Sequence, residues 1–101
     1  MIVRLTYLSF LPGKIEQAKK IYNDEIISIV KSQKGNLDCR MLEPQDPKDD
    51  YISMTVWDNQ QDADLYNNSG TYKQLVERVK AYYSKPPVLK VYTGEHVMEH
   101  A

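Results

Sequence analysis

The sequence has few of the residues that most often carry metal and redox chemistry. Its 101 residues include one cysteine, Cys39, and two histidines, His96 and His100, both near the C-terminal end. One cysteine cannot form an internal disulfide, and no Cys or His cluster has the spacing of a zinc site. We therefore expect no metal site, a reducing cytoplasmic location, and a Cys39 that acts as a small buried hydrophobic residue and not as a redox centre.

Several larger patterns are missing as well. The sequence has no Gly-rich phosphate loop, no zinc-protease motif and no nucleophile elbow. No apolar run approaches the ~18 residues of a membrane span, and the first residues lack the layout of a signal peptide. With a net charge of −1 and a pI near 6.1, the chain lacks the basic face that a nucleic-acid binder needs. We expect neither a membrane nor a nucleic acid as a partner.

What is present is the composition of one ordinary globular domain, with 42% apolar and 27% charged residues. Tyrosine dominates the aromatic residues, with eight tyrosines beside one tryptophan and one phenylalanine. A tyrosine buries its ring and keeps a polar hydroxyl. It therefore suits a pocket wall, an interface or the rim of a core, and composition does not choose between these.

Hydrophobic periodicity predicts four strands and three helical segments. Pro12-Gly13 ends the first strand and Lys34-Gly35-Asn36 follows the first helix, while Asp58 and Ser69 are candidate caps for the two later helical pieces. The predicted strands are Ile2–Phe10, Leu37–Leu42, Tyr51–Trp57 and Val88–Thr93, and the predicted helices are Lys14–Ser32, Asp58–Tyr66 and Thr71–Tyr83.

The order β-α-β-β-α-β predicts an α+β, ferredoxin-like domain over residues 1–94, followed by a polar tail over residues 95–101. Two right-handed βαβ units that share a central hairpin form an antiparallel sheet with both helices on one face. The opposite face then leaves one set of strand residues without a cover: either Ile52, Met54, Val56, Val3 and Leu5, or the reverse set. We therefore expect a homodimer packed sheet to sheet.

Four polar residues interrupt the otherwise apolar strands: Arg4, Thr6, Ser53 and Thr55. Burying such a group without a hydrogen-bond partner costs roughly 1–3 kcal/mol. These residues therefore either satisfy one another and the backbone, or face a cavity that holds water or a ligand. Small hydroxyls beside an arginine and an aromatic ring are what a pocket for a polar aromatic molecule needs.

The larger candidate residues each have two interpretations. Trp57 is either an anchor of the core or a flat wall against an aromatic ligand. Tyr66 and Tyr72 flank the predicted break between the two later helical pieces, where they either line the mouth of a pocket or simply pack. Arg78 either pairs in solvent with a carboxylate such as Glu77, or leans inward and stabilises a phenolate or enolate.

Taken in order, these pieces resemble the antibiotic biosynthesis monooxygenase (ABM) family of the dimeric α/β-barrel superfamily, from Met1 to about Tyr92. The resemblance is carried by an ordered set of short segments and not by one motif. They are Ile2-Val3-Arg4-Leu5-Thr6 with Pro12-Gly13-Lys14, Lys34-Gly35, Thr55-Val56-Trp57, and Ser69-Gly70-Thr71-Tyr72-Lys73 leading to Pro86-Pro87-Val88.

The resemblance implies a dimeric α/β barrel that oxidises a small aromatic or quinol-type metabolite with O₂ and without a cofactor. It implies that Trp57 stacks against the ring, that Arg78 or Arg4 stabilises its anion, and that Ser53 with Thr6 orients it. By this resemblance the catalytic candidates are Trp57, Arg78 and Ser53, and the substrate-binding candidates are Arg4, Thr6, Thr55, Tyr66 and Tyr72.

The chain also departs from relatives of this kind. Haem-degrading members carry Asn, Trp and His at positions where this sequence has Thr6, Tyr66 and Val76, so haem degradation is not expected. Many other members have a histidine where this chain has Thr71. The sequence therefore keeps a second hypothesis open, a non-catalytic dimeric module that binds or senses a small molecule.

Overall fold

The structure is a computed structural model that describes residues 1–95. Most of the predicted polar tail, with His96 and His100, lies outside the described residues. The strands are β1 (Ile2–Leu8), β2 (Asn36–Leu42), β3 (Tyr51–Trp57) and β4 (Val88–Thr93), and the helices are α1 (Ile15–Ile21), α2 (Ile27–Lys31), α3 (Gln60–Asn67) and α4 (Gly70–Val79). A π-helical segment (Tyr22–Ile26) joins α1 to α2, and a 3₁₀ turn (Lys80–Tyr82) follows α4. Every helix within residues 1–95 is too short or too polar to cross a membrane.

The four strands form one antiparallel sheet in the order β2-β3-β1-β4. The helices bury one face of this sheet around Ile2, Cys39 and Trp57, and Trp57 is fully inaccessible to solvent. This is the α+β, ferredoxin-like arrangement that the order of the predicted elements indicates. Cys39 lies in the core, as expected for a small buried side chain.

The predicted helix Lys14–Ser32 is interrupted by the π-helical segment. Its buried stripe is spaced by four residues throughout, at Ala18, Tyr22, Ile26 and Val30. In an α-helix a spacing of four turns the stripe by about 40° at each step, which would carry its far end off the sheet. The wider turn of the π segment compensates for this drift, so all four side chains reach the sheet.

The ends of two elements differ from their predicted positions. β1 stops at Leu8 and not at Phe10, because Phe10 pairs with the chain only through an isolated bridge to Tyr83. α4 stops at Val79, where the backbone tightens into the 3₁₀ turn instead of continuing to Tyr83. Both changes place Tyr83 against the end of β1 and so close one side of the molecule.

Polar side chains cap α3 and α4. Ser69 accepts the backbone N–H of Tyr72 at 3.1 Å, as predicted. For α3 the predicted cap, Asp58, is wrong by one residue, since the side chain of Asn59 accepts the backbone N–H of Asp62 at 2.8 Å. The Asn59 side chain also donates to the Asp62 carboxylate at 3.2 Å, which completes a reciprocal cap.

The two faces of the sheet carry different residues. Strand pairing places Val3 beside Val56 and Tyr92, and Leu5 beside Met54, on the face away from the helices. We call this the open face; its apolar members are Val3, Leu5, Tyr7, Leu42, Ile52, Met54, Val56, Val88 and Tyr92. Of the two orientations that the sequence left open, the structure shows the one in which Ile52, Met54 and Val56 face away from the helices.

Three tyrosines on the helix side of the sheet are held in their neutral form. Tyr22 and Tyr66 are buried, and Tyr83 is half-buried. Burial raises the pKa of Tyr22 and Tyr66 well above the ordinary value, and it raises the pKa of Tyr83 to about 12. These hydroxyls can therefore donate hydrogen bonds at any physiological pH.

Replacing Gly35 by alanine should lower the free energy of unfolding by roughly 2–4 kcal/mol. Gly35 has φ +79°, and an added methyl group would collide with the Asp62 side chain. Gly13 has φ +78° with nothing within 4 Å, so Gly13→Ala carries the backbone strain alone and should cost about 1–2 kcal/mol. Gly70→Ala, in open space at the start of α4, should be neutral. Urea denaturation followed by circular dichroism gives the three values; equal losses at Gly13 and Gly35 would contradict a role for the Asp62 contact.

Raising the pH above 10 should destabilise the fold. Tyrosines of the unfolded chain ionise near pH 10, whereas Tyr22, Tyr66 and Tyr83 stay neutral in the fold, so the unfolded state releases more protons. The free energy of unfolding then falls by about 1.4 kcal/mol per pH unit for each such tyrosine. Tyr22→Phe should flatten this slope by about one proton in urea titrations between pH 9 and 12. An unchanged slope in Tyr22→Phe would contradict the raised pKa.

Candidate functional site

A cavity of about 130 Å³ lies between the helices and the sheet. Its floor is polar and comes from the two central strands, with Arg4 and Thr6 on β1 and Ser53 and Thr55 on β3. The strand register pairs Arg4 with Thr55 and Thr6 with Ser53. All four polar residues that interrupt the predicted strands therefore line one cavity.

The walls of the cavity are mostly apolar and come from the π segment, α2, α3 and α4, together with residues outside the helices. Tyr66 and Tyr72 line the cavity from the two sides of the α3–α4 break, as one of the two sequence interpretations expects. Pro87 is exposed, so the cavity reaches the surface beside it. The other wall residues are Leu8, Tyr22, Ile26, Val30, Leu75, Val76, Val79 and Tyr83.

Arg4 is the charged residue of this cavity, and it is only 7% exposed. Its guanidinium donates a 2.7 Å hydrogen bond to Oδ1 of Asn67 and lies 5.5 Å from the centre of the Tyr72 ring. No carboxylate of residues 1–95 forms an ion pair with it. A buried cation with neutral partners favours an anion beside it, and four of its five N–H groups remain for an oxygen ligand.

Tyr22 and Ser53 form a second polar centre on the cavity wall. Their hydroxyls are hydrogen-bonded to each other, and the Tyr22 hydroxyl lies 3.9 Å from Sγ of Cys39. Burial raises the pKa of the Cys39 thiol, so this cysteine is a neutral neighbour and not a thiolate nucleophile. The pair offers hydroxyl donors, but no base.

Trp57 does not line the cavity, which corrects its predicted stacking against a ligand. The Tyr66 ring stacks on Trp57, with ring centres 5.0 Å apart, and it is Tyr66 that faces the cavity. The indole N–H of Trp57 donates to Oγ1 of Thr55 at 2.9 Å. Trp57 is thus the anchor that holds a wall residue and a floor residue in place.

Arg78 lies outside the cavity, which corrects its predicted role as an anion-stabilising residue. Its guanidinium is half exposed and forms a two-point ion pair with Glu25, with an Nη2–Oε2 distance of 2.6 Å. The surface alternative is therefore the one observed, although the carboxylate belongs to the π segment and not to Glu77, which pairs with Lys80.

Two polar residues of the site were not among the sequence candidates: Tyr22, which lines the cavity, and Asn67, which binds Arg4. Tyr22 looked like one more member of the apolar helix stripe, and its polar hydroxyl among aliphatic neighbours was the available signal. Asn67 sits in the predicted break and looked like a turn residue. Its contact with Arg4 spans 63 residues of sequence, so no local pattern could reveal it.

The chemistry open to this site follows from what lines it. The described lining residues include one cation, several hydroxyls and no carboxylate or histidine. Within residues 1–95, no three His, Cys, Asp or Glu side chains lie together as a metal site. The site can hold an anion and donate hydrogen bonds to it, but it has no strong base of its own.

Known structures share this fold at low sequence identity. A protein from Nitrosomonas europaea assigned to antibiotic biosynthesis monooxygenases superposes with a TM-score of 0.82 at 19% identity, covering 95% of this chain and 100% of that one. SnoaB, a cofactor-independent oxygenase from Streptomyces nogalater, gives a TM-score of 0.79 at 10% identity over 98% and 97% of the two chains. A variant of MhuD, with two manganese protoporphyrin IX molecules per active site, gives 0.77 at 16% identity over 100% and 99%.

These likenesses establish the fold alone, because all are below 25% identity. No match to the chain was found among curated proteins by sequence. The family assignment comes from the sequence model of the antibiotic biosynthesis monooxygenases, which matches residues 1–78. That match covers β1 through most of α4, and therefore nearly every residue that lines the cavity. The chain belongs to the antibiotic biosynthesis monooxygenase family.

Proposed function

We propose that this protein is a cofactor-independent oxygenase that binds a small phenol-type metabolite in the cavity and oxidises it with O₂. The observation that carries the proposal is the buried guanidinium of Arg4, whose described partners are all neutral. A cation in a desolvated site stabilises negative charge strongly. Family membership supports an oxygenase reaction for the molecule that binds there.

The first step is ionisation of the bound phenol. Arg4 lowers the pKa of a phenol whose oxygen it contacts, so the phenol loses its proton to water without a strong protein base. Asn67 holds the guanidinium in place through its 2.7 Å hydrogen bond. Tyr66 and Tyr72, set edge to face with ring centres 5.3 Å apart, flank the aromatic ring of the ligand.

The second step is reaction of the phenolate with O₂. A C–O bond forms between O₂ and the ring carbon opposite the phenolate oxygen, giving a hydroperoxide. That carbon then loses its proton while the O–O bond breaks, and hydroxide leaves as water. One phenol and one O₂ thus give one quinone and one water, with the ring oxidised by four electrons.

The Tyr22–Ser53 pair is placed to assist this second step. Ser53 lies opposite Thr6, and Thr6 is the next inward-facing position along β1 from Arg4, so the pair lies on the row of the floor next to that of Arg4. A hydroxyl donor there can hydrogen-bond the departing peroxide oxygen. Because burial keeps Tyr22 protonated, this donor is present at every pH at which the substrate ionises.

A second candidate function is binding without turnover. The observation that favours it is a described lining with no carboxylate and no histidine to act as a base. Such a module would show a ligand-dependent rise in melting temperature and no consumption of O₂.

We also propose that the open face pairs with a second copy of the chain. Leu42, Val88 and Tyr92 are 39%, 51% and 50% exposed there, beside the apolar central strands. The central strands thus present an apolar patch, with Asp38, Arg40 and Lys90 on the two edge strands of the same face. An exposed apolar patch on a sheet is stabilised by burial against its own copy. The cavity lies on the other face, so pairing leaves its entrance beside Pro87 unobstructed.

Arg4→Gln should lower O₂ uptake by roughly 10- to 100-fold, since it removes a charged hydrogen bond to the developing anion. The assay measures O₂ uptake with an oxygen electrode in the presence of 2-methoxyphenol, 1-naphthol or anthrone, each against a buffer blank. Arg78→Gln makes the same chemical change outside the cavity and should retain the wild-type rate.

Two results would count against this proposal. A wild-type rate equal to the blank with all three compounds, together with a ligand-induced rise in melting temperature, would favour the binding module. A loss of rate in Arg78→Gln equal to that in Arg4→Gln would remove the assignment of Arg4 as the anion site.

Leu5→Glu should convert the dimer to a monomer. The substitution places a carboxylate in the middle of the open face, between Met54 and Lys90 in the strand register, where pairing would bury it. Leu65→Glu makes the same change at a side chain that is 61% exposed on α3 and should leave the dimer intact. Sedimentation velocity at micromolar concentration reads the mass of each; a monomeric wild type would overturn the pairing.

A further inference from the structure

The space inside the cavity is small, although the cavity opens to the surface beside Pro87. Its volume is about 130 Å³, close to the ~150 Å³ of cavities known to hold one benzene molecule. Fused two- or three-ring phenols need considerably more room. Its size therefore separates ligands by the number of their rings.

The spacing of the polar groups on the cavity floor is comparable to the size of one aromatic ring. Arg4 and Ser53 belong to neighbouring inward-facing rows of β1 and β3, which are about 7 Å apart along the strands, and Tyr22 is hydrogen-bonded to Ser53. One aromatic ring spans that distance, with its oxygen at Arg4 and the opposite carbon at the hydroxyl pair. A second fused ring has to extend beyond this space, either toward the apolar wall or through the opening beside Pro87.

α4 supplies one part of the apolar wall of the cavity. Leu75 and Val79 are buried and belong to the core, so they cannot move aside without disturbing its packing. Val76 lines the cavity beside them but is only half-buried and is not a member of the core cluster. Its two methyl groups limit the width of the cavity at the point where the wall can be trimmed with least loss of stability.

We propose that the ligand of this protein is a single-ring phenol, and that Val76 sets the one-ring limit. The inference rests on the proposed function, because it names the substrate class of the same site. It predicts that rings are selected at binding, before any reaction with O₂. An open groove would behave in the opposite way, because affinity there rises with the apolar area of the ligand.

The experiment measures binding of 2-methoxyphenol, 1-naphthol and anthrone by isothermal titration calorimetry without O₂. Each compound has one ionisable oxygen with a free carbon opposite it. The expected order of affinity is 2-methoxyphenol above 1-naphthol by tenfold or more, with anthrone weakest. Val76→Ala should improve the affinity for 1-naphthol by roughly tenfold and change that for 2-methoxyphenol little. Leu65→Ala, a truncation at a side chain that is 61% exposed on α3 and does not line the cavity, should bind all three compounds as wild type does.

The outcomes separate this inference from the proposed function. One-ring selectivity in binding, with no O₂ uptake under aerobic conditions, supports the inference and removes the oxygenase function. Equal or tighter binding of 1-naphthol or anthrone by wild type overturns the inference, whether or not these compounds are oxidised. Absence of binding by all three compounds, or a Val76→Ala variant with the wild-type order, overturns it as well.

Discussion

The site depends on a positive charge that the fold buries without a negative one. Arg4 projects from a central strand into the space between sheet and helices, where its described partners are the Asn67 amide and the Tyr72 ring. A guanidinium can be kept there only if its remaining donors meet polar groups, water or a ligand, since a desolvated charge is costly. The cavity and its hydroxyl floor satisfy that requirement. An anion of the right size would satisfy it better.

The aromatic residues act as a connected series and not as separate candidates. Trp57 supports Tyr66, Tyr66 meets Tyr72 edge to face, and Tyr72 lies over the Arg4 guanidinium. The fully buried tryptophan thus shapes the cavity without touching what enters it. The helix break after Asn67 is part of the same arrangement, because it lets the tyrosines approach from different helices while Asn67 reaches Arg4.

The two faces of the sheet divide structure from function. The helix face holds the core at one end and the cavity over its middle, and it takes its polar character from alternate residues of β1 and β3. The open face is apolar over its central strands and carries none of the side chains that line the cavity. Since a strand shows its two sides in strict alternation, a single-residue slip of register would exchange these roles and bury Val3 and Leu5 in place of Arg4 and Thr6.

Much of the fold could be predicted from local sequence patterns. Alternation in Tyr51–Trp57 was enough to assign the two faces of β3, and the apolar spacing of residues 14–32 was enough to predict a helix against the sheet. The π segment within that helix was not predictable from the spacing. It compensates for the rotation of the buried stripe around the helix axis, and that rotation matters only because the stripe has to stay in contact with the sheet. The cap of α3 was missed by one residue, since Asp58 and Asn59 are equally good caps and the start of the helix decides between them.

Sequence patterns alone could not decide whether Arg4 or Arg78 lies at the cavity. The sequence by itself determined that Arg4 interrupts an apolar strand and that Arg78 borders an apolar helix stripe, and both positions suit an anion site. Only the tertiary structure decided between them. Arg4 meets Asn67 across 63 residues of sequence and Arg78 meets Glu25 across 53, so each outcome depends on which distant element the fold brings alongside. The surroundings of a side chain, and not its residue type, decide whether its charge is buried beside a cavity or paired with a carboxylate at the surface.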